Sequence, residues 1–455
     1  MKYYEFQEKT QIKINGELIN PVVQEMAERF LYRLTELSFV SSDGLFASAG
    51  NVSPAAVPTV TEKGIYIPAN SVKQLIDRLF FVLDKAEAYF DETGKRKVRI
   101  KAGEYLPKDF KGEKMIHLCV FPETKFFVLK RAIRLAGALG FTHVVLEFWG
   151  TYPYKCLPEL KWKGKGLTGE QVKDLIAEIR SLKMQPVPMI NHFGHASGSR
   201  FNLGKHVVLD KDISLSPYFI NHGWVWNFKE PEVKKLLREM RAELAETFGE
   251  GEYFHIGFDE SYYWPKDENE LDEIYKYVSA ICAEIKAEGR RPVLWGDLFL
   301  NVESAGVKGE KGYFCNAATE EIAEKMLASL PKYAIVADWH YGVAEYPWKT
   351  SVYLKERGYD VLECPWYSDK NVASAIQTAE SEKTLGIMLT TWHFLSHMAD
   401  GMSSIIYAGK LFGGECIDDW IEKFLVTEEF ARKVYGAEDY SQSGWVEEQV
   451  KDICD

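Results

Sequence analysis

The chain has 455 residues and a formal net charge of −12, from 55 Lys and Arg against 67 Asp and Glu. Its 46% hydrophobic and 27% charged residues are typical of a globular protein and exclude a disordered chain. The acidic balance and the lack of a Lys/Arg cluster exclude nucleic acid and anionic membranes as expected partners.

The amino-terminal part, residues 1–112, is predicted to be a small α/β accessory domain. Helical patterns at 21–37 and 71–85 flank a turn-rich segment, 41–64, and a strand is predicted at 95–101. The chain begins MKYYEFQEKT, with no apolar core of a secretory signal.

From residue 113 to 412, apolar runs of strand length alternate with amphipathic helical stretches. Strands are predicted at 116–121, 143–149, 186–191, 253–258, 292–295, 334–338, 360–364 and 385–391. Helices are predicted at 124–138, 168–182, 231–248, 268–287, 320–328, 350–357, 371–380 and from about 402. Eight such units, with strands apolar on both faces, predict an α/β protein of the (β/α)8 TIM-barrel class.

A doubly wound open sheet is the alternative to the barrel. No Gly-rich nucleotide loop follows the first strand, where the chain reads VFPETK, so the barrel is favoured. Residues 413–455 are predicted to form a helical extension packed on the barrel, with a helix at 416–434.

The seven cysteines are widely spaced and include no Cys-x-x-Cys pair. This pattern is typical of free thiols in a reducing compartment, so we expect a cytoplasmic protein without disulfides or a zinc site. No apolar run reaches the length that a membrane helix needs, so no membrane partner is expected.

In a barrel, functional groups come from the carboxyl ends of the strands. Carboxylates, histidines and indoles gather there: Glu147, Trp149, Asn191, His192, His195, Asp259, Glu260, Trp295, Asp297, Asp338, Trp339, Tyr367, Asp369, Trp392 and His393. Indole rings complement the C–H faces of sugars and carboxylates bind hydroxyls, while carboxyl pairs cleave most glycosidic bonds. The residues alone therefore indicate a carbohydrate-processing barrel.

The motifs also resemble a known family. The run at 255–260, HIGFDE, is similar to the His-x-Gly-Gly-Asp-Glu signature of family 20 glycoside hydrolases, the β-N-acetylhexosaminidases. The run at 187–195, VPMINHFGH, resembles that family's Ile-Pro-Glu-Ile-Asp-x-Pro-Gly-His, and residues 367–369 resemble its Tyr-x-Asp. The resemblance spans about residues 114–412 and implies a retaining exo-glycosidase for terminal β-linked N-acetylhexosamine, with no cofactor or metal.

The resemblance also implies roles for single residues. Glu260 is the general acid and base, and Asp259 binds the N–H of the substrate's 2-acetamido group, whose oxygen attacks the anomeric carbon to give an oxazolinium intermediate. Tyr367 donates to that oxygen. The pocket walls, with further substrate-binding candidates at strand ends, are Trp149, Trp295, Asp297, Trp339, Asp369, Trp392 and His393.

His195 resembles the family histidine that touches the catalytic Glu, and Glu147 stands where the family has a supporting Asp. We expect a chain Glu147–His195–Glu260 that tunes the acid. We also expect the neighbouring Asp259 carboxylate to raise the pKa of Glu260.

The groups with which the family binds sugar hydroxyls are missing. Val120, Phe121 and Pro122 stand where the family has an Arg after strand 1, and Phe394 replaces the Glu of its Trp-x-Glu. Two further positions depart from the pattern, Phe258 for Gly and Asn191 for Asp. The choice between N-acetylglucosamine and N-acetylgalactosamine therefore stays open, with His393, Asp369 and Arg200 as substitute readers.

Two other functions stay possible from the residues. A metal-dependent barrel hydrolase could use His192 and His195 with Asp259 or Asp297 as ligands. A sugar-binding protein without catalysis is the second alternative, although binding alone does not need the Asp259–Glu260 pair. The sequence gives no oligomeric state.

Overall fold

The computed structural model describes residues 2–6, 21–23, 25–27, 30, 45–49, 56–108, 110–162, 164–198, 207–265, 267–392, 399–415, 417, 422, 426–427, 429–430 and 433–434.

Eight parallel strands close into a barrel in the order in which they follow one another along the chain. They are β1 (Glu113–Val120), β2 (His143–Phe148), β3 (Gln185–Met189), β4 (Tyr253–His255), β5 (Arg291–Trp295), β6 (Ile335–Asp338), β7 (Asp360–Glu363) and β8 (Gly386–Thr390). The pairing of β8 with β1, from Gly386 opposite Glu113 to Thr390 opposite His117, closes the ring. The predicted TIM barrel is confirmed.

One helix follows each strand and covers the outside of the barrel. The helices are α1 (Phe126–Ala138), α2 (Gly169–Ser181), α3 (Pro231–Phe248), α4 (Glu268–Ala287), α5 (Glu320–Ser329), α6 (Lys349–Glu356), α7 (Asp369–Glu382) and α8 (Ala399–Phe412). The predicted bounds of α3 and α4 are confirmed to the residue.

Side chains alternate between the two faces of each strand, which explains the continuous apolar runs. Inward residues form a core cluster inside the barrel that includes Met115, Val145, Val187, Val293 and Ile335. Their outward neighbours, such as Ile116, Val144 and Leu294, belong to the larger core under the helices. Both faces are buried because the barrel interior is filled with side chains and the helices cover the outside.

The strand β4 ends three residues earlier than predicted, at His255. Gly257 and Phe258 have φ angles of 74° and 81°, in the left-handed region that a strand cannot adopt. The backbone therefore leaves the strand just before Asp259 and Glu260.

Two small sheets precede the barrel. One has three antiparallel strands, with Arg96–Lys101 between Tyr3–Glu5 and Glu87–Phe90. The other has four strands in the order Leu45–Ala49, Gly64–Ala69, Thr59–Thr61 and Gly103–Glu104.

The helix predicted at 71–85 is present as Val72–Asp84, and the Ser71 side chain accepts the N–H of Gln74 at its start. The segment predicted to be turn-rich, 41–64, also contains two strands that were not predicted: Leu45–Ala49 and Thr59–Thr61 both pair with Gly64–Ala69. Residues 21–23, 25–27 and 30 are helical, as predicted for 21–37.

At the carboxyl end, residues 422, 426–427, 429–430 and 433–434 are helical, within the helix predicted at 416–434. Phe430 packs edge-on against Phe30 at 5.8 Å between ring centroids. The division of the chain at residues 112 and 412 stays a prediction.

No helix in the described ranges is long and apolar enough to cross a membrane. Five cysteines, at 119, 156, 282, 315 and 364, are free thiols as expected, while residues 416 and 454 lie outside the described residues. The cytoplasmic location stays a prediction.

Candidate active site

Asp259 and Glu260, in the loop after β4, meet one histidine from the loop after β3. His195 Nε2 lies 3.1 Å from Glu260 Oε2 and 3.4 Å from Asp259 Oδ2. His195 and Glu260 have φ angles of 49° and 36°, a strained conformation that clusters at functional sites. The structure thus joins three of the predicted catalytic residues in one cluster.

Glycine makes this close approach possible. A Cβ atom at residue 194 would lie 1.6 Å from the main-chain oxygen of Asp259. A Cβ atom at residue 257 would lie 2.1 Å from Asn191 Oδ1. Any larger residue at either position would push the β3 and β4 loops apart, which is a physical reason for both glycines in the sequence motifs.

The three groups of the cluster shift one another's pKa. Burial alone would lower the pKa of His195, but the charges of Asp259 and Glu260 raise it to about 9. Burial would raise the pKa of Glu260, but its hydrogen bond to His195 and the charge of that ring outweigh burial and hold this pKa below its usual value. At neutral pH the histidine therefore carries a proton and Glu260 is ionised.

This result corrects the expected direction of the Glu260 shift. Asp259 was expected to raise the pKa of Glu260, whereas the His195 cation, 3.1 Å away, lowers it. The pKa of Asp259 itself is raised well above its usual value by burial, against the opposing charge of His195.

One carboxylate oxygen of Asp259 accepts no hydrogen bond within the described residues. The side chain is buried, and Oδ1 has no hydrogen-bond partner among the described residues. A buried acceptor without a donor is costly, so such groups mark places where a ligand or water binds. The carboxylate thus offers an acceptor beside the acid Glu260.

Asp297 does not offer such an oxygen. Its Oδ2 accepts hydrogen bonds from the main-chain N–H of Glu260 at 3.0 Å and from Asn316 Nδ2 at 2.7 Å. Its Oδ1 accepts from Trp339 Nε1 at 3.0 Å. Burial raises the pKa of Asp297 to about 6 despite these donors. Both oxygens of Asp297 thus accept hydrogen bonds from the protein, and its substrate-binding role stays a prediction.

Both carboxylate oxygens of Glu147 also contact side chains of the protein. Its Oε2 lies 2.9 Å from His117 Nε2, and its Oε1 accepts from Asn191 Nδ2 at 2.7 Å. Its negative charge contributes to the raised pKa of His195. The expected chain Glu147–His195–Glu260 is thus joined by a hydrogen bond at Glu260, while Glu147 acts on the histidine through its charge.

Four tryptophans lie at the carboxyl ends of the strands, and one of them contacts the cluster directly. Trp149 stacks on the His195 ring at 5.4 Å between centroids and 29° between planes. Trp392 lies 5.5 Å from the fully buried Trp295, and its Nε1 donates to Tyr341 at 2.7 Å. Trp339 stacks on Phe314 at 4.8 Å. The predicted tryptophans therefore lie together at the mouth of the barrel.

The residues after β7 lie further out. Tyr367 is 48% exposed, with its ring edge-on to Trp366 at 4.7 Å. Asp369 is the first residue of α7. His393, Phe394 and Arg200 lie outside the described residues.

Sequence reasoning missed several residues of the site. Asn316, His117 and Tyr341 carried no motif, although the parity of β1 places His117 on the same inward face as Met115. Tyr262 lies two residues after Glu260 and hydrogen-bonds its carboxylate, and the Tyr262 ring packs edge-on to Trp224 at 4.8 Å between centroids. The aromatic run 262–264 was a signal for it.

The metal-site alternative is not supported by these positions. His195 faces the two carboxylates, whereas His192 lines a crevice between α3 and α4. Asp297 is occupied by three donors. The described residues include no group of three or more His, Cys, Asp or Glu arranged to hold a metal ion.

Solved structures of other proteins share this fold. An exo-β-N-acetylglucosaminidase from Vibrio harveyi is 14% identical, with a TM-score of 0.65, over 95% of this chain and 75% of its own. A chitobiase from Flavobacterium johnsoniae is 16% identical, with a TM-score of 0.65, over 98% and 72%. A β-N-acetylhexosaminidase from Streptomyces coelicolor is 14% identical, with a TM-score of 0.63, over 95% and 92%.

The chain has the family 20 glycoside hydrolase fold. The fold that the motif resemblance implies is thus confirmed. No family model matches the chain, and no curated protein matches it in sequence. Within the family 20 fold, Asp259 and Glu260 follow β4, the strand whose motif carried the resemblance.

Proposed function

We propose that the protein is a glycoside hydrolase that removes terminal β-linked N-acetylhexosamine with retention of configuration. The observation that carries this proposal is that the buried Oδ1 of Asp259, beside Glu260, has no hydrogen-bond donor among the described residues. The N–H of a substrate's acetamido group would supply the missing donor. The hydrogen bond from this N–H would offset the cost of burying the carboxylate. A sugar without that group would leave the oxygen unpaired.

In the first step, Glu260 gives its proton to the glycosidic oxygen while the acetamido oxygen attacks the anomeric carbon. The bond to the leaving group breaks and an oxazolinium ion forms. Asp259 accepts the N–H and stabilises the positive charge that grows on this ring. In the second step, Glu260 takes a proton from water, whose oxygen attacks the anomeric carbon and opens the ring. Both displacements invert, so the configuration is retained.

The proton for the first step is held by His195 in the free protein. Its pKa of about 9 and the lowered pKa of Glu260 place the proton on the histidine at neutral pH. When a neutral substrate covers the site, the loss of water disfavours the ionised carboxylate and returns the proton across the 3.1 Å contact. His195 is therefore a positioning and proton-holding residue, and Glu260 is the catalytic acid.

The walls of the site fit an amino sugar. The indoles of Trp339 and Trp392 are proposed to supply apolar faces for the ring and the acetyl methyl group, with the fully buried Trp295 packed against Trp392. Tyr367 is proposed to donate to the acetamido oxygen. The Vibrio harveyi neighbour was solved in complex with N-acetylglucosamine, which supports a carbohydrate as the ligand of this chain.

The test compares nitrophenyl β-glycosides with a 2-acetamido or a 2-hydroxyl group. We expect turnover of the acetamido substrate only, release of the β-anomer first by NMR, and strong competitive inhibition by a thiazoline that mimics the intermediate. Asp259→Asn should weaken the binding of the thiazoline more than the binding of the product sugar. Equal rates on the two substrates would overturn the proposal, and sugar binding without any turnover would favour a binding protein.

A further inference from the structure

A basic crevice opens between helices α3 and α4, away from the Asp259–Glu260 cluster. Its volume is about 330 Å³. Five cationic side chains line it: Lys229, Lys234, Arg238, Arg241 and Lys276. Only two carboxylates, Glu273 and Glu284, face them there. On a chain with a net charge of −12, this local excess of positive charge favours an anionic ligand.

Three of the five cations are not neutralised by a salt bridge to another described residue, and we call their charges the spare charges. Lys229 is bound to Glu270, and Arg241 is bound to Glu284 and Glu288. Lys234, Arg238 and Lys276 make no salt bridge within the described ranges. The Lys234 ammonium lies 5.9 Å from the centroid of the Tyr277 ring.

A buried histidine forms the inner wall of the crevice. His192 is 1% exposed, and its Nδ1 lies 3.0 Å from the main-chain oxygen of Ile190. Since a carbonyl only accepts, Nδ1 carries the proton and Nε2 is left as an acceptor. This Nε2 has no hydrogen-bond partner among the described residues. Burial and the nearby Arg241 lower the pKa of His192 to about 3, so the ring stays neutral.

We propose that this crevice binds a hydrogen phosphate ion. The spare charges of Lys234, Arg238 and Lys276 attract the oxyanion, and the P–OH group donates to the lone pair of His192 Nε2. Phosphate keeps a hydroxyl at neutral pH, whereas sulfate of similar shape and charge has none. Sites that accept a hydrogen bond from a ligand reject analogues that lack the donor, because the buried acceptor is then left unpaired.

Titration calorimetry on the full chain, in a phosphate-free buffer at constant ionic strength, tests the proposal. We expect one phosphate ion per chain, bound about tenfold more tightly than sulfate, which is the effect of one hydrogen bond of about 1.4 kcal/mol. Glucose 6-phosphate, titrated in parallel, identifies the source: tighter binding than phosphate indicates a phosphorylated sugar, and weaker binding indicates the free ion.

Variants locate the site. Arg238→Gln and Lys276→Gln each remove one of the spare charges at an exposed position, and each should weaken phosphate binding several-fold. Lys235→Gln is the matched control, since Lys235 lies on the same helix but pairs with Glu239 and does not line the crevice. Its phosphate affinity should stay unchanged.

His192→Phe should bring the phosphate-to-sulfate affinity ratio close to one. If that variant does not fold, the phosphate-to-sulfate affinity ratio of the natural chain and the effect of Arg238→Gln on phosphate affinity still test the proposal. Equal affinity for the two ions in the natural chain, or no saturable binding at millimolar phosphate, overturns the proposal. These measurements do not depend on any glycosidase activity.

Discussion

Asp297 holds the backbone of Glu260. Its Oδ2 accepts the main-chain N–H of Glu260 at 3.0 Å, and its Oδ1 accepts Trp339 Nε1 at 3.0 Å. One carboxylate after β5 therefore fixes both the proposed acid after β4 and an indole after β6. Precise placement of a reacting group matters because small displacements cost large factors in rate.

Replacing this carboxylate should lower activity without removing a reacting group. In Asp297→Asn the amide N–H₂ would face a donor that the carboxylate had accepted, so Glu260 or Trp339 would shift. We expect kcat to fall about 10- to 100-fold, with a smaller change in KM. Steady-state kinetics and a thermal melt measure the change. Asp360→Asn, a half-exposed residue that pairs with Arg291, is the control and should leave kcat unchanged.

The acid itself is tested by Glu260→Gln. The amide cannot protonate the leaving oxygen, so we expect a loss of about 10²- to 10⁴-fold in kcat/KM on an unactivated glycoside. A dinitrophenyl substrate should lose less in the first step, because its leaving group needs less protonation. The exposed Glu250→Gln provides a comparison on the loop before β4. Near-normal turnover of Glu260→Gln on the unactivated substrate would rule out its role.

Much of the fold could be predicted from sequence because its signals are local. Pro231 at the start of α3 and Gly249 after its end mark that helix, and Asp267 caps α4. The strand 45–49 was missed because its parallel pairing with 64–69, in which Leu45 lies opposite Ile65, is distant in sequence. The strand 59–61 forms a hairpin with 64–69, in which Thr61 lies opposite Gly64, so its signal was local and was overlooked.

The candidate site was predictable only in part. The motif residues Asp259, Glu260 and His195 were found because they occupy adjacent strand ends, and the structure brings them together. The support of Glu260 by Asp297, 37 positions away, depends on the register of β4 and β5. The direction of the Glu260 pKa shift depends on the position of His195 Nε2, to which sequence spacing gives no access.

The stability of the protein should depend on pH through His195. The pKa of this group is raised to about 9 in the folded state, against about 6.5 unfolded. The stabilisation is therefore complete below pH 6.5 and is lost as pH rises through 9. We expect the free energy of unfolding to fall by on the order of 1–3 kcal/mol between pH 6 and 9.5.

Urea denaturation of the natural chain and of His195→Asn, across this pH range, checks that fall. Because the variant has no group that titrates at residue 195, the difference between the two curves isolates the histidine. The difference should shrink as pH rises. A difference that is constant with pH would show that the histidine has the same pKa in both states.

The protein should discriminate only weakly between sugars that differ in the configuration of one hydroxyl group. Phe121 follows the end of β1, where the family pattern has an Arg, and it is buried against Trp149 at 5.0 Å between ring centroids. An apolar wall offers no hydrogen bond that the wrong epimer would leave unpaired, whereas a polar reader can discriminate by about 10⁴-fold. We therefore expect the kcat/KM values for the N-acetylglucosaminide and N-acetylgalactosaminide to differ by less than about 100-fold, or ~2.7 kcal/mol. Parallel assays of the two nitrophenyl glycosides give this ratio. A much larger preference would identify a polar reader of O4, and the loss of that preference in Asp369→Asn, but not in the surface variant Asp360→Asn, would assign it to Asp369.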